Sequence, residues 1–290
     1  MIHGMRYCGR DFSDSELDHI RRLIAENPGA SRARLSRLVC EGLRWRRVDG
    51  RLKDMSCRVA MLRMQEDGLI RLPPPRNGNG NGRPYRRRTP EARPKLSSIF
   101  TSAGALKDLQ LTLVEHPKSS HLWNEYIDRY HYLGYQPLPG AQLRYFVAAN
   151  GTVLGLMGFG AAAWKTAPRD RFIGWSSEKR QNRLHLIVNN ARFLILPWIQ
   201  CKYLASRVLS MATRRLAQDW QKRYGYRPVL AETFVETPRF RGTSYKAANW
   251  IYLGETKGRG KLDVNHAAGL PIKSIYIYPL VKNFRRMLCD

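Results

Sequence analysis

Apolar residues in the first 72 positions recur at helical spacing in three short blocks. Leu17, Ile20 and Ile24 share one face of a helix, and Ser13 with Glu16 supplies the S-x-x-E capping box in front of it. Asn27-Pro28-Gly29 stops that helix. Ser31 caps a second one carrying Leu35, Leu38 and Val39, which ends near Gly42. After a loop or short hairpin through Trp45 and Asp49-Gly50, Asp54 is the expected cap of a third helix. Its apolar stripe reads Met55, Val59 and Leu62, and Gly68 ends it before a short strand Leu69-Ile70-Arg71-Leu72.

The pattern changes after residue 95. Trp123, Tyr126, Ile127 and Tyr130 form one face of a helix near 120–132. Residues 143–149 and 153–159 read as two strands joined by Asn150-Gly151, the strongest short hairpin signal. A strand over 191–199 leads into a helix whose buried stripe is Ala205, Leu209, Ala212, Leu216 and Trp220, widened by Leu204, Val208 and Met211. Residues 228–235 predict a further strand and 245–250 a short helix, and 251–254 with 273–278 predict the closing strands. Between the two regions, the run from Pro73 to Pro84 combines prolines with Asn-Gly pairs that have nothing to bury, so it reads as a linker. The expected organisation is an N-terminal domain over 1–75, a basic flexible linker over 76–95 and a C-terminal mixed α+β domain over 96–290.

Charge alters this picture more than composition does. Fifty Lys and Arg stand against 23 Asp and Glu, a formal net charge of +27, which points to a polyanion as partner. Both regions are basic, and Arg86, Arg87, Arg88, Arg93 and Lys95 crowd the end of the linker, where a flexible tether can follow a phosphate backbone without reading bases. Apolar runs are broken within a few residues by Arg, Lys or Gln, so neither a transmembrane span nor a signal peptide is expected, and a cytoplasmic location follows. The five cysteines are widely spaced with no C-x-x-C pair, and they read as reduced structural thiols with no metal site.

Three resemblances add to this. The three helices and strand ending in Asp67-Gly68-Leu69-Ile70 resemble a winged helix-turn-helix, in which the third helix enters the major groove. Lys53, Ser56, Arg58 and Arg63 are then the candidate duplex contacts, with Arg44, Arg46 and Arg47 around Trp45 suited to phosphate. The segment 191–209 is similar to the signature of the GNAT acyltransferase superfamily, with Pro197, Gln200, Lys202, Ala205 and Ser206 in register. Tyr203 stands where that pattern has a glycine that lets backbone N–H groups close on the coenzyme A pyrophosphate, which argues against a standard acetyl-CoA loop and leaves the cofactor open. The segment 242–254 looks like the superfamily's Y-x-x-x-G-F-x-x-x-G, with Tyr245 at the tyrosine that protonates the leaving thiolate and Asn249-Trp250 replacing Gly-Phe. Nearly end to end, the chain resembles the DruA-like family, named for a component of the Druantia anti-phage system. That likeness rests on Tyr7-Cys8-Gly9-Arg10, Leu52 to Arg58, Gly68-Leu69-Ile70, His131-Tyr132-Leu133-Gly134, Glu232-Thr233-Phe234-Val235 and Gly242 to Trp250. It implies a role in phage defence or mobile, transposase-like DNA, with defence-system or transposition proteins as partners.

Candidate chemistry centres on Glu232, a carboxylate on a strand expected to border the cleft, with Tyr245 as general acid or as a packing residue. Glu236 is the second carboxylate. On a regular strand it shares a face with Glu232 but lies ~13 Å away, too far for one metal ion without help from Asp170 or Asp128. Arg144, Asn189, Asn190, Arg192 and Asn249 are the candidate polar lining. His131 and His185 are each lone histidines that serve structure as readily as catalysis. Lys179, Arg180 and Arg183 after Trp175 suit a single strand or a flipped base. Three readings follow: a DNA-processing protein acting on duplex or single-stranded DNA, which is preferred, an acyl- or other group-transferase, and a DNA-binding adaptor without catalysis.

Overall fold

The computed structural model describes residues 5–76, 88–94, 99–259 and 269–290, and it divides into two compact units, 1–81 and 82–290. In the first, a hairpin of β1 (Met5–Tyr7) and β2 (Arg10–Phe12) precedes α1 (Asp14–Glu26), α2 (Arg32–Gly42) and α3 (Asp54–Glu66). The capping box forms as the sequence predicts. Glu16 N–H donates to Ser13 Oγ at 3.2 Å and Ser13 N–H donates to Glu16 Oε2 at 3.2 Å, satisfying two donors that a helix start otherwise leaves open. Leu17 and Ile20 are buried against Leu35 and Val39, and Ser31 caps α2 through the Arg34 N–H.

The third helix departs from expectation in two ways. Its buried face is Cys57, Ala60, Met61 and Met64, whereas Met55 and Val59 are 56% and 40% exposed. The i, i+3, i+4, i+7 spacing of the small and sulfur-bearing residues sets the helix phase, and Met and Cys fill the space against α2. The N-cap is Lys53 and makes no side-chain capping bond; Asp54 lies in the first turn and pairs with Arg58 at 2.9 Å. Residues 69–72 form no strand. Ile70 and Leu72 are buried in the unit's core, but side chains rather than a partner strand satisfy the local backbone. Gln65 accepts from Leu72 N–H at 3.0 Å, Arg21 donates to the Leu69 carbonyl at 3.0 Å and Arg32 donates to the Pro73 carbonyl at 2.7 Å. Among the described residues, therefore, no wing follows α3, and the unit's hairpin precedes α1 instead.

The second unit opens with β3 (Ile99–Ser102), β4 (Gln110–Leu113) and α4 (Pro117–Tyr130), the last begun by a proline whose missing N–H costs nothing in the first turn. The hairpin of β5 (Leu143–Ala149) and β6 (Thr152–Ala161) turns at Asn150-Gly151, both left-handed at φ 47° and 71°, as a twist-matched two-residue turn requires. Then come α5 (Ala167–Ile173), α6 (Ser177–Arg183), β7 (Ile187–Ile195), β8 (Ile199–Lys202) and α7 (Leu204–Tyr224). The chain closes with β9 (Leu230–Glu236), α8 (Thr243–Ala247), β10 (Ile251–Glu255), β11 (Lys273–Pro279) and α9 (Phe284–Cys289).

Seven strands make one sheet in the order β10-β11-β9-β7-β6-β5-β4, antiparallel throughout except between β7 and β9, while β3 and β8 form a separate parallel pair. On α7 the expected stripe is buried through Leu204, Val208, Leu209, Ala212, Leu216 and Trp220. Trp123 of α4 packs on the sheet where Gly158 has no side chain, and its indole N–H donates to the Tyr145 carbonyl at 3.2 Å. No helix among the described residues is long and apolar enough to cross a membrane.

Replacing Ser13 by alanine removes the cap of α1 and is expected to lower the stability of the N-terminal unit by about 1 kcal/mol in urea unfolding, against no change for an exposed serine outside a cap.

Candidate functional site

The parallel ladder between β7 and β9 is short. It pairs Ile187 with Leu230, Val188 with Ala231 and Asn189 with Glu232, then stops, although both strands continue. One residue further on, a bulge interrupts the pairing of β6 with β7, which steps from Gly158↔Arg192 to Phe159↔Asn190 and leaves Ala191 over. The Asn190 amide compensates by donating to the Gly158 and Arg192 carbonyls at 3.2 Å each. Past the ladder's end, side chains join the strands. Thr233 Oγ1 donates to the Asn190 carbonyl at 3.0 Å, and Tyr245 Oη donates to Asn190 Oδ1 at 2.7 Å.

Tyr245 is therefore a buried peg rather than a group facing an open cleft. It stacks on Tyr276 at 5.8 Å, meets Trp250 edge-on at 5.1 Å, and burial pushes its phenol well above the ordinary value. Of the two roles expected for it, the geometry fits packing, since the hydroxyl proton is committed to Asn190. Gly242 caps the start of α8 at φ 67°, where any Cβ would collide with the Tyr276 hydroxyl. Asn249 ends the helix in the left-handed conformation, φ 61°. The glycine of the resembled motif is thus replaced by the residue that tolerates its backbone best.

Glu232 is fully buried and does not border an open cleft, contrary to its expected position. Its Oε1 accepts from Ala163 N–H at 2.7 Å and its Oε2 from Arg169 Nη1 at 2.8 Å. Arg169, also fully buried, donates to the Ala163 carbonyl at 2.7 Å and to Asp170, which in turn accepts from Thr166 N–H and Trp175 Nε1 and lies 3.6 Å from Arg180. Burial pushes the Glu232 carboxyl up, and the Arg169 guanidinium and Ala163 N–H oppose that shift. The arrangement anchors the segment after β6 to β9. Glu236, at the end of the same strand, is half-buried and accepts from Arg239 Nε at 3.3 Å.

The other expected residues disperse. Arg144 donates to Asn124 and Ser120 of α4, at 2.8 Å each, with its guanidinium over the Trp123 ring. Asn189 Oδ1 is buried without a hydrogen-bond partner, as is Arg192 Nε, while Arg192 Nη1 donates to the Ala191 carbonyl at 2.8 Å. Lys179 donates to the Asp290 carbonyl, and Arg180 is held between Asp170 and the Trp164 ring, so neither forms the open loop surface expected beside Trp175, which is buried. In the N-terminal unit Arg58 is tied to Asp54, Lys53 and Ser56 are partly buried, and Arg63 is exposed. Trp45 is buried with the Arg10 guanidinium over its ring. Arg88 pairs with Asp128 at 2.8 Å; Arg86, Arg87, Lys95 and most of the linker lie outside the described residues. With Asp128 and Asp170 engaged in this way, no cluster of three metal-ligating side chains occurs among the described residues.

One grouping was not anticipated. His131 and Tyr132, just after α4, meet Arg239 and Phe240, just after β9, with Arg192 of β7 influencing both His131 and Tyr132. Burial and the nearby Arg192 charge push His131 down to about 4, so its imidazole is neutral at physiological pH and its Nδ1 accepts from Leu133 N–H. The sequence signal was the pairing of Tyr130-His131-Tyr132 with Arg239-Phe240-Arg241, two aromatic and basic strings over 100 residues apart.

The family model of Druantia protein DruA matches residues 63–270. The chain belongs to the DruA family. Among solved structures, this DruA-family chain is similar to an acetyltransferase from Bacillus subtilis in complex with CoA, at 10% identity and a TM-score of 0.35, covering 60% of this chain and 100% of that one. An N-acetyltransferase from Staphylococcus aureus Mu50 is similar at 8% identity, 60% and 99% coverage and a TM-score of 0.36. An N-acyl amino acid synthase from uncultured soil microbes is similar at 9% identity, 65% and 97% coverage and a TM-score of 0.38. No curated protein matches significantly. At such scores the likeness says nothing of activity.

Tyr203 stands at the position where the resembled signature has a glycine. It precedes α7 in the left-handed conformation, φ 65°, and its side chain is 77% exposed. The backbone keeps the conformation that a glycine would take there, at a cost that a glycine would not bear.

Two outcomes are expected. Tyr203→Gly should be more stable than Tyr203→Ala by about 1 kcal/mol in thermal unfolding, because alanine retains the left-handed strain and glycine relieves it. Glu232→Leu and Arg169→Met should each destabilise strongly, Arg169→Met by about 3 kcal/mol or more as it strands a buried carboxylate, while the two combined should cost less than Arg169→Met alone. Additive losses in that cycle, measured by denaturant unfolding, would show that the pair does not act as a unit.

Proposed function

We propose that this chain is a DNA-binding protein of anti-phage defence whose contribution is nucleic-acid contact, with Glu232 and Tyr245 holding the C-terminal unit together. The observation that carries the reading is where the charge goes. The net charge of +27 already sets all 23 acidic groups against the 50 Lys and Arg, and several of those acids are held at close range within the fold: Asp54 by Arg58, Asp128 by Arg88, Glu125 by Arg129, Asp170 and Glu232 by Arg169, Asp219 by Arg215 and Glu236 by Arg239. The 27 Lys and Arg in excess of all the acidic groups remain to meet phosphate.

Family membership supports the defence setting, since the family takes its name from the Druantia protein DruA. In the N-terminal unit, α3 serves as the duplex-contacting helix in the manner of a helix-turn-helix. Arg63 is its outward cation, Lys53 and Ser56 lie at its start, and Arg44 and Arg46 are exposed on the preceding loop. The basic segment around Arg86, Arg87 and Arg88 extends the phosphate contact, and other proteins of the same defence system are the partners. A group-transfer reading has less support. Tyr203 occupies the position at which a pyrophosphate-binding turn needs glycine, and the proton of Tyr245 is already committed to Asn190.

Binding of the full chain to duplex DNA should fall about 1000-fold between 50 and 200 mM salt, the behaviour of a protein that neutralises several phosphates. A flat plot of log K against log salt, read by fluorescence anisotropy, would remove the reading.

A further inference from the structure

The His131–Tyr132–Arg239–Phe240 group is assembled from two segments that follow different elements, and it faces outward. The His131 imidazole stacks on the Tyr132 ring at 4.8 Å and 27°, Phe240 meets Tyr132 at 5.3 Å nearly edge-on, and the Arg239 guanidinium lies 5.0 Å over the Tyr132 ring. The Glu236 carboxylate holds Arg239 Nε at 3.3 Å and so keeps the guanidinium plane in that place. Phe240 is 46% exposed and the Arg239 side chain is half exposed, so the outer members of the stack present a ring and a planar cation to solvent. Arg241, the next residue, is exposed too, and Arg192 on the inner side has a buried Nε without a hydrogen-bond partner.

Single exposed rings are ordinary on a protein surface, Trp164, Tyr203 and Tyr252 among them; this group instead joins two exposed rings, Tyr132 and Phe240, to two exposed arginines, Arg239 and Arg241. A planar partner that is apolar on its faces and anionic along its edge satisfies all the groups at once. Its face stacks on Phe240 and on the Arg239 guanidinium, and its charge meets Arg239 and Arg241. An unpaired base on a phosphate backbone has that chemistry, because every base offers a π-face and a single strand leaves it free.

We propose that Tyr132, Arg239 and Phe240 form a stacking site for an unpaired nucleobase of a single strand, with Arg241 on the adjoining phosphate and Glu236 as the positioning residue for Arg239. The inference rests on the nucleic-acid reading above and narrows it to one face of the C-terminal unit, one strand form and named side chains.

The test compares three probes of equal length on the full chain by fluorescence anisotropy at one salt concentration: a single-stranded oligodeoxynucleotide, the same strand built of abasic residues, and the duplex. Wild type should bind the base-bearing strand about 10-fold more tightly than the abasic one, the scale of one base stacked on an aromatic side chain. Phe240→Ala should remove that preference while leaving duplex affinity and unfolding temperature unchanged, since Phe240 is an exposed residue, and Phe240→Trp should restore it. Glu236→Gln should weaken the preference only in part. Equal wild-type affinity for the base-bearing and abasic strands overturns the inference, as does a Phe240→Ala loss that is the same on both strands. If duplex binding with a steep salt dependence persists in either case, only the stacking site falls. If the wild type binds none of the three probes, the DNA-binding reading falls with it.

Discussion

The C-terminal unit depends on a contact between two fully buried charges, Arg169 and Glu232, 2.8 Å apart. Removing two ions from water is costly, and their mutual attraction offsets that cost only when the remaining donors and acceptors are also met. Here they are. Glu232 takes the Ala163 N–H as well as the guanidinium, and Arg169 reaches the Ala163 carbonyl and Asp170 as well as the carboxylate. The connection from β6 through α5 to α6 is thereby stapled to the strand that lies beside β7, and the sheet keeps one parallel pair among antiparallel ones. Glu232, the catalytic candidate of the sequence, has both its oxygens committed within the fold, one to Ala163 N–H and one to Arg169.

The same economy governs the end of the β7–β9 ladder. Two strands that pair for three residues and then stop leave backbone groups to satisfy, and buried backbone groups are rarely left open. Asn190 meets that need from three sides. Its amide covers the carbonyls exposed by the bulge, its own carbonyl takes the Thr233 hydroxyl, and its Oδ1 takes the Tyr245 phenol. Asn190 and Tyr245, nominated from the sequence for a polar cleft and for proton transfer, are the parts that hold the interrupted ladder. Arg192 and Glu236, the residues of the same two strands beyond the interruption, turn toward the surface group of His131, Tyr132 and Arg239 instead.

Local signals in the sequence were legible and nonlocal ones were not. The capping box at Ser13, the Asn150-Gly151 turn and the α7 stripe each rest on neighbours within one turn or one hairpin, where backbone geometry alone decides the outcome. The phase of α3 is not legible in the sequence because Met55 and Val59 are as apolar as the residues that are buried. What separates them is the fit of Cys57, Ala60, Met61 and Met64 against α2, a tertiary fact. Leu69 to Leu72 looked like a strand because alternate residues are apolar. The side chains of Gln65, Arg21 and Arg32 satisfy the local backbone there instead of a partner strand. Glu232 could be recognised as important but not as buried, since its partner Arg169 lies 63 residues away.

Arginine does two kinds of work in this chain, and that distinction bears on function. Arg169, Arg180 and Arg144 are turned inward onto carboxylates, amides or rings, and Arg58 is tied to Asp54 with part of its side chain exposed. Arg63 and Arg241 are exposed, and Arg239 stands half exposed over an aromatic ring. A high net charge by itself says only that a polyanion is welcome. Exposed cations lie along much of the chain, α3 and the loop before it included; at the end of β9 two of them, Arg239 and Arg241, stand beside two exposed rings, Tyr132 and Phe240. Phosphate alone is indifferent to rings, so the stacking site proposed above would use the aromatic residues at the end of β9 as well as its cations.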